Sequence, residues 1–256
     1  MDGQKEINIT VNLNKLINGI LVVGIIVTAF SAGAAWTRYQ NKKSNNSNPA
    51  PATVTSRKPV LPTLAPVDIK NVDIKGEPYI GNDKAPVVMA YWLDFQCPFC
   101  RRFETQTLPV LIDKYVNKGK LKIVFKDFQF LGPDSQDAGL VEKAVWELYP
   151  KQYFKWHQAM YKNQDQENGG FGDLKSILEM IKKEIPEMDA NKIAALIEKK
   201  KDEYQKEQDE DKREGKRFNI TGTPGFVIGQ QNIRGAQPTE VFIQIIESEL
   251  SRKGNR

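Results

Sequence analysis

The chain has 256 residues, 40% of them apolar, enough to bury a core in at least one domain. Its formal net charge of +5 is small, and Lys and Arg are interleaved with Asp and Glu instead of gathered on one face, which argues against a nucleic-acid partner. Two cysteines cannot build a disulfide framework, and the one histidine, His157, cannot supply both further ligands of a structural zinc site, so no metal or other cofactor is expected, a site shared between molecules or a three-ligand site being the remaining metal alternatives.

Residues 1–15 read as an N-terminal tail. Residues 16–37 carry no charged side chain, and as a helix rising about 1.5 Å per residue they cover about 33 Å, the depth of a hydrocarbon core. We read this run as a transmembrane helix, with Trp36 at an interface and with Lys15 and Arg38 bracketing it. Ala32-Gly33-Ala34 offers the alternative of a cleaved signal sequence, which would leave the remainder secreted. Lys5 and Lys15 precede the span and Arg38, Lys42 and Lys43 follow it, a count that by itself would hold the large domain in the cytoplasm. Long domains translocate largely regardless of so small a bias, and the cysteine chemistry below outweighs it. Residues 38–66 are rich in Asn, Ser, Pro, Ala and Thr without an apolar period, and read as a semi-stiff linker.

From residue 67 to 252 the pattern is that of an α/β domain. Val87–Leu93 is short, β-branched, aromatic and introduced by Pro86, the signature of a buried strand. Phe103, Leu108, Leu111, Ile112, Tyr115 and Val116 fall near helical spacing on a segment opening at Pro98, and Pro109 should kink it. A second strand is expected at Leu121–Phe128, followed by helical segments from about 133 to 218. Within these, residues 198–217 hold eight acidic and eight basic side chains, read as a solvated helix face stitched by mixed-sign pairs. Gly225–Gly229 reads as another strand, Ile233 as part of its hairpin partner across a turn at Gln230-Gln231, and a final helix opens near Pro238. Strand, helix, strand, helical insert, hairpin and helix imply a mixed sheet.

The chemistry lies in Cys97-Pro98-Phe99-Cys100. Cys97 follows a strand and Pro98 suits a first helical position, so Cys97 falls at a helix N-cap, where free N–H groups and the helix dipole favour an anion. A thiolate is that anion and is the species that attacks disulfides, which makes Cys97 the nucleophile and Cys100, one turn on and more buried, the resolving thiol. Inert structural cysteines are the alternative; the strand before and helix after favour a redox-active disulfide. Thr221-Gly222-Thr223-Pro224, directly ahead of a strand, is the second motif, a place where an X-Pro bond readily turns cis and leaves a backbone edge open to a peptide.

DFQCPFCRRFE, with the upstream IGNDKAP and the distant TGTP, resembles the DsbA-like branch of the thioredoxin superfamily over roughly residues 76–250. The resemblance implies a thioredoxin-like fold with a helical insertion, Cys97 and Cys100 as the catalytic pair, a cis Pro224 against them and Thr223 presenting backbone groups to substrate. WHQAMYKNQ is matched only in pattern to the segment after the insertion's first helices, and His157 within it reads as packing or surface. Many members of that branch carry a buried carboxylate six residues before the first cysteine. Here the position is Tyr91, while Asp94 points to the opposite face if the strand alternates to its end, which leaves proton transfer to water.

These features imply a thiol-disulfide oxidoreductase that donates disulfides to exported proteins and is recycled by a membrane redox partner. The alternatives are a reductase or isomerase, or a non-catalytic thioredoxin-like binding module or metallochaperone. No added dimer domain is evident, so a monomer is expected, anchored once in the cell membrane with its catalytic domain outside the cytoplasm. A reporter active only outside the cytoplasm, fused after Arg256, should therefore be active; activity of a cytoplasm-only reporter in its place would sink this topology.

Overall fold

The computed structural model describes residues 67–167 and 169–254. The readings of 1–15 as a tail, 16–37 as a transmembrane or signal segment and 38–66 as a linker lie outside the described residues.

Among the described residues five strands form one mixed sheet. They are β1 (Tyr79–Ile80), β2 (Val87–Leu93), β3 (Leu121–Asp127), β4 (Gly225–Ile228) and β5 (Gln231–Arg234). Their order is β1-β3-β2-β4-β5, with β2 parallel to β3 and the other pairings antiparallel. A parallel pair needs a crossover. It is supplied by α1 (Pro98–Gln106) and α2 (Leu108–Leu111), which runs on into a π-helical turn at Ile112–Val116. The kink assigned to Pro109 appears as a break one residue before α2, at Thr107, because proline is tolerated in the first turn of a new helix but not inside an old one.

Four helices separate β3 from β4 among the described residues: α3 (Pro133–Leu148), α4 (Tyr153–Asn163), α5 (Leu174–Glu184) and α6 (Ala190–Arg217). The chain closes with α7 (Thr239–Gly254). The hairpin and the last helix fall where the sequence places them, with the turn one residue earlier, at Gly229-Gln230. β1 was not anticipated, since a two-residue edge strand has no alternation to read.

β2 is the centre of the sheet and is covered on both faces. Met89, Tyr91 and Leu93 enter the main core, while Ala90 and Trp92 face a smaller cluster with Phe128, Ile220 and Val227. Tyr91, Phe103 of α1, Phe226 of β4 and Phe242 of α7 bring their rings together, with Phe103 and Phe226 centroids 4.6 Å apart and Tyr91 and Phe226 4.8 Å apart. These contacts fix α1, and with it the Cys-Pro-Phe-Cys turn, against the sheet. Trp92 donates to the Asp211 carbonyl at 3.0 Å, and α6 approaches so closely there that a Cβ on Gly215 would lie 2.9 Å from the Trp92 Nε1.

The charged run of α6 departs from the solvated face expected of it. Lys206, Glu210 and Arg213 do point to solvent, but Asp211 and Glu214 are buried and meet Lys126 of β3 at 2.6 and 3.2 Å. Lys126 also meets Glu77 at 3.0 Å, and Lys143 of α3 bridges Glu77 and Asp127, each at 3.1 Å. Two buried ammonium groups need several anions around them, so one stripe of a charge-rich helix turns inward. Burial pushes Glu77 up from 4.5 to about 7, with Lys143 opposing. A raised folded value means that its stabilising share is present below pH 4.5 and is lost as pH rises through 7. Glu77→Gln should therefore gain thermal stability relative to wild type between pH 4.5 and 8, and a difference flat across that window would refute the assignment.

Candidate active site

The site is built where β2 runs out into α1. Cys97 takes an extended conformation (φ −77°, ψ 118°) as the N-cap, and Pro98 occupies the first turn. The N–H groups of Phe99 and Cys100 are left without helical acceptors by their place in that turn; the Cys97 side chain makes no capping hydrogen bond to them, but their backbone favours its anion. Opposite them, the Thr223–Pro224 peptide bond is cis, and the Thr223 carbonyl lies 3.4 Å from Cys97 Sγ, accepting its thiol proton. The four residues singled out from sequence, Cys97, Cys100, Thr223 and Pro224, are thus brought together from elements more than a hundred positions apart. Both cysteines are free thiols.

Their environments differ in the direction exchange requires. The Cys100 thiol does most to favour the Cys97 anion; burial works against it, and the Thr223 side chain with the Cys100 and Phe99 backbone adds further support. The Cys97 thiol is lowered to about 6. Burial pushes Cys100 well above its ordinary range, and the neighbouring Cys97 pushes the same way. Both are buried, Cys97 at 3% exposed and Cys100 at 0%, so the first lies nearer the surface than the second.

Arg101 and Arg102, which follow the cysteine pair in sequence, turn to other acceptors. Arg101 donates to the Gln164 carbonyl and Arg102 to the Ala236 carbonyl, each at 2.9 Å, and hydrogen bonds around the sulfur carry the thiol's shift instead. Phe99 stands out between the cysteines, 55% exposed, with the Arg102 guanidinium 5.2 Å from its ring centroid.

Asp94 is fully buried, and its carboxylate accepts from the N–H groups of Gln96 at 2.9 Å, Phe130 at 2.9 Å and Leu131 at 3.3 Å and from the Ser135 hydroxyl at 2.6 Å. Burial raises its carboxyl, and these donors pull against that. It ties the end of β2 to the start of α3, with its oxygens committed to that joint. Tyr91, at the position where a carboxylate is common, is fully buried; its hydroxyl makes no hydrogen bond of ordinary geometry and lies among Cys100, Tyr161 and Glu104. His157 proves to be packing: fully buried, it pairs with Glu104 at 2.9 Å and sits in a nest of rings with Phe95, Phe125 and Phe154.

Two glutamines escaped the sequence reading. Gln164 donates to the carbonyls of Phe95 and Cys97, and Gln96 donates to the Phe171 carbonyl. No spacing rule announces a contact between residues so far apart. Gln164 ends the WHQAMYKNQ segment, which the sequence distinguishes only by pattern.

The family described as Thioredoxin matches residues 73–248. Disulfide bond formation protein D of Bacillus subtilis (strain 168) is 29% identical over 188 residues, covering 70% of this chain and 80% of that protein. A probable disulfide bond formation protein D of Bacillus anthracis is 24% identical over 149 residues, 58% of this chain and 68% of that one. Among solved structures, oxidised BdbD from Bacillus subtilis superimposes with a TM-score of 0.64 at 23% identity, over 70% of this chain and 95% of that one. The thiol-disulfide exchange protein alpha-DsbA2 from Wolbachia pipientis gives 0.58 at 26% identity, over 67% and 86%.

The geometry makes residue 99 the tuning position. Titration of ultraviolet thiolate absorbance should place the Cys97 thiol of the reduced protein at about 6. Phe99→His adds a donor or a charge beside the sulfur, so it should lower that value and make the disulfide more oxidising. Unchanged values for both quantities would remove residue 99 from the electrostatics of the pair.

Proposed function

The chain belongs to the thioredoxin family, and from that premise we propose that it is a thiol-disulfide oxidoreductase whose Cys97–Cys100 disulfide oxidises dithiols in exported proteins. One observation carries the reading: Cys97 caps α1 against the cis Thr223–Pro224 bond with Cys100 buried behind it, a setting that lowers the Cys97 thiol to about 6 and pushes its partner up. Stabilising one thiolate stabilises the reduced pair, and a disulfide whose reduced form is stable is a willing acceptor of electrons.

The reaction follows from that asymmetry. A substrate thiolate attacks Cys97 Sγ, the sulfur nearer the surface; the Cys97–Cys100 bond breaks, and the Cys100 sulfur leaves with the electron pair and takes up a proton. The substrate's second thiolate then attacks its own sulfur in the mixed disulfide and expels Cys97, whose anion is favoured by the first-turn backbone. Two electrons pass from substrate to protein; of the two thiol protons that the substrate gives up, the equivalent of one ends on Cys100 and the other goes to solvent. Pro224 presents no N–H beside the sulfur, which leaves the Thr223 backbone free to register a peptide. Asp94 is committed elsewhere, so the proton taken by Cys100 comes from water or from a neighbour of the Tyr91 hydroxyl.

The reading extends to place and partners. Residues 16–37 anchor the protein in the cell membrane with residues 67–252 outside the cytoplasm, and a membrane redox partner reoxidises the pair. Phe99 supplies no positive charge, so the reduction potential should fall in the range of roughly −130 to −220 mV, between the strongest oxidants and the glutaredoxins. The relatives named as disulfide bond formation proteins support donation over reduction or isomerisation.

The division of labour between the sulfurs is open to direct trial with a disulfide-bearing peptide. Cys100→Ser should accumulate a mixed disulfide through Cys97, because the thiol that resolves it is gone. Cys97→Ser should trap nothing and lose activity, since its remaining thiol is buried and held protonated. Equal trapping by both variants would reverse or abolish the assignment.

A further inference from the structure

Cys97 is held from behind by a helix of the insert. Asp94 to Cys97 form a tight turn closed by the Cys97 N–H bonding to the Asp94 carbonyl at 3.0 Å. α4 and its capping residue meet this turn at Asp94, Phe95 and Cys97. The Tyr161 hydroxyl donates to the Asp94 carbonyl at 3.4 Å, and the Phe95 ring packs on Trp156 and Tyr161 with centroids 5.2 and 5.4 Å away. Gln164, the residue that caps α4, then places its amide Nε2 2.7 Å from the Phe95 carbonyl oxygen and 3.1 Å from that of Cys97. Both hydrogens of one amide are thereby used on the backbone of the reactive turn, and the side chain is 4% exposed.

The contact is returned from the other side. Gln96 sends its amide to the Phe171 carbonyl at 2.9 Å, in the loop that follows α4, and Arg101 of α1 donates to Gln164's own carbonyl at 2.9 Å. Gly172 (φ +132°) allows this approach, since a Cβ there would fall 2.1 Å from the Gln96 Nε2. Among the described residues the Cys97 carbonyl also accepts one helical bond, from Arg101 N at 3.1 Å.

We propose that Gln164 is a positioning residue for Cys97: by holding the Phe95 and Cys97 carbonyls it keeps Cys97 at the N-cap of α1, with its sulfur against Thr223 and at the helix end whose first-turn N–H groups are free. The insert is then part of what sets thiolate stability. This rests on the thiol-disulfide exchange proposed above, and it concerns a residue that touches neither sulfur nor substrate.

The test uses Gln164→Met, which keeps length and burial but has no donor, and Gln164→Ala as a second variant, both in the full chain. Thiolate absorbance against pH is read first, because it needs no turnover. Loss of one such hydrogen bond is worth about fivefold in an equilibrium constant. We expect the Cys97 acid dissociation constant to fall by about that factor, and the equilibrium with glutathione to shift toward the oxidised protein by a similar factor. Circular dichroism and thermal unfolding establish that the variants are folded. Folded variants with the wild-type thiolate titration and glutathione equilibrium overturn the proposal; so does a titration that moves in Gln164→Ala alone, which would make the effect one of packing. A wild-type protein that fails to exchange with glutathione overturns the proposed function instead, leaving the titration to judge Gln164 on its own.

Discussion

A sulfur anion at the edge of a protein core has to be met by donors, and the fold is arranged around meeting it at one cysteine while denying it to the other three residues later. β2, the central strand, delivers the chain to one end of the sheet, Pro98 starts a helix there, and the first-turn N–H groups of that helix are left free beside Cys97. The same helical turn carries Cys100 inward, under the Tyr91 and Phe103 rings, where an anion has no solvent. A single turn of helix thus produces two thiols of opposite character. The ring cluster of Tyr91, Phe103, Phe226 and Phe242 keeps the difference in place by fixing the helix to the sheet.

Much of this was legible in the sequence, for identifiable reasons. Val87–Leu93 is an uninterrupted apolar strand, and burial on both faces is what such a run requires. Cys-Pro-Phe-Cys declares a helix start because proline is tolerated in the first turn and little further on, and Thr-Gly-Thr-Pro ahead of GFVIG declares an interrupted strand edge. What stayed hidden depended on partners brought together by tertiary structure. Asp94 looked like a strand residue pointing away from the chemistry; it anchors the next loop because β2 ends one residue before it. Gln96 and Gln164 carry no signal of their own, since an uncharged amide fits surface and interior equally well. The carboxylates of α6 have the composition of a solvated face, and only the presence of Lys126 and Lys143 beneath them shows why two of them are buried.

The insert therefore does more than enlarge the domain. α4 grips the reactive turn through Tyr161, Trp156 and Gln164, and α6 clamps β3 through Asp211 and Glu214. β3 in turn pairs along the whole of β2. The turn and the strand that delivers it are thus gripped by separate helices of the same insertion, and a substitution in either should be felt at the sulfur through backbone placement more than through charge.

The sheet ends on both sides in very little. β1 offers two residues and β5 four, with Gln231 and Arg234 exposed at the ends of the latter. An edge that short is a poor template for another strand, and its polar ends discourage apolar chains from stacking on it. On the function proposed above, the molecule meets cysteine-bearing polypeptides, and those with exposed backbone are the chains most prone to add themselves to an open sheet. Blunt edges let it take hold of such a chain by a sulfur and a few backbone atoms and then release it, where a longer edge would invite co-aggregation with its own clients.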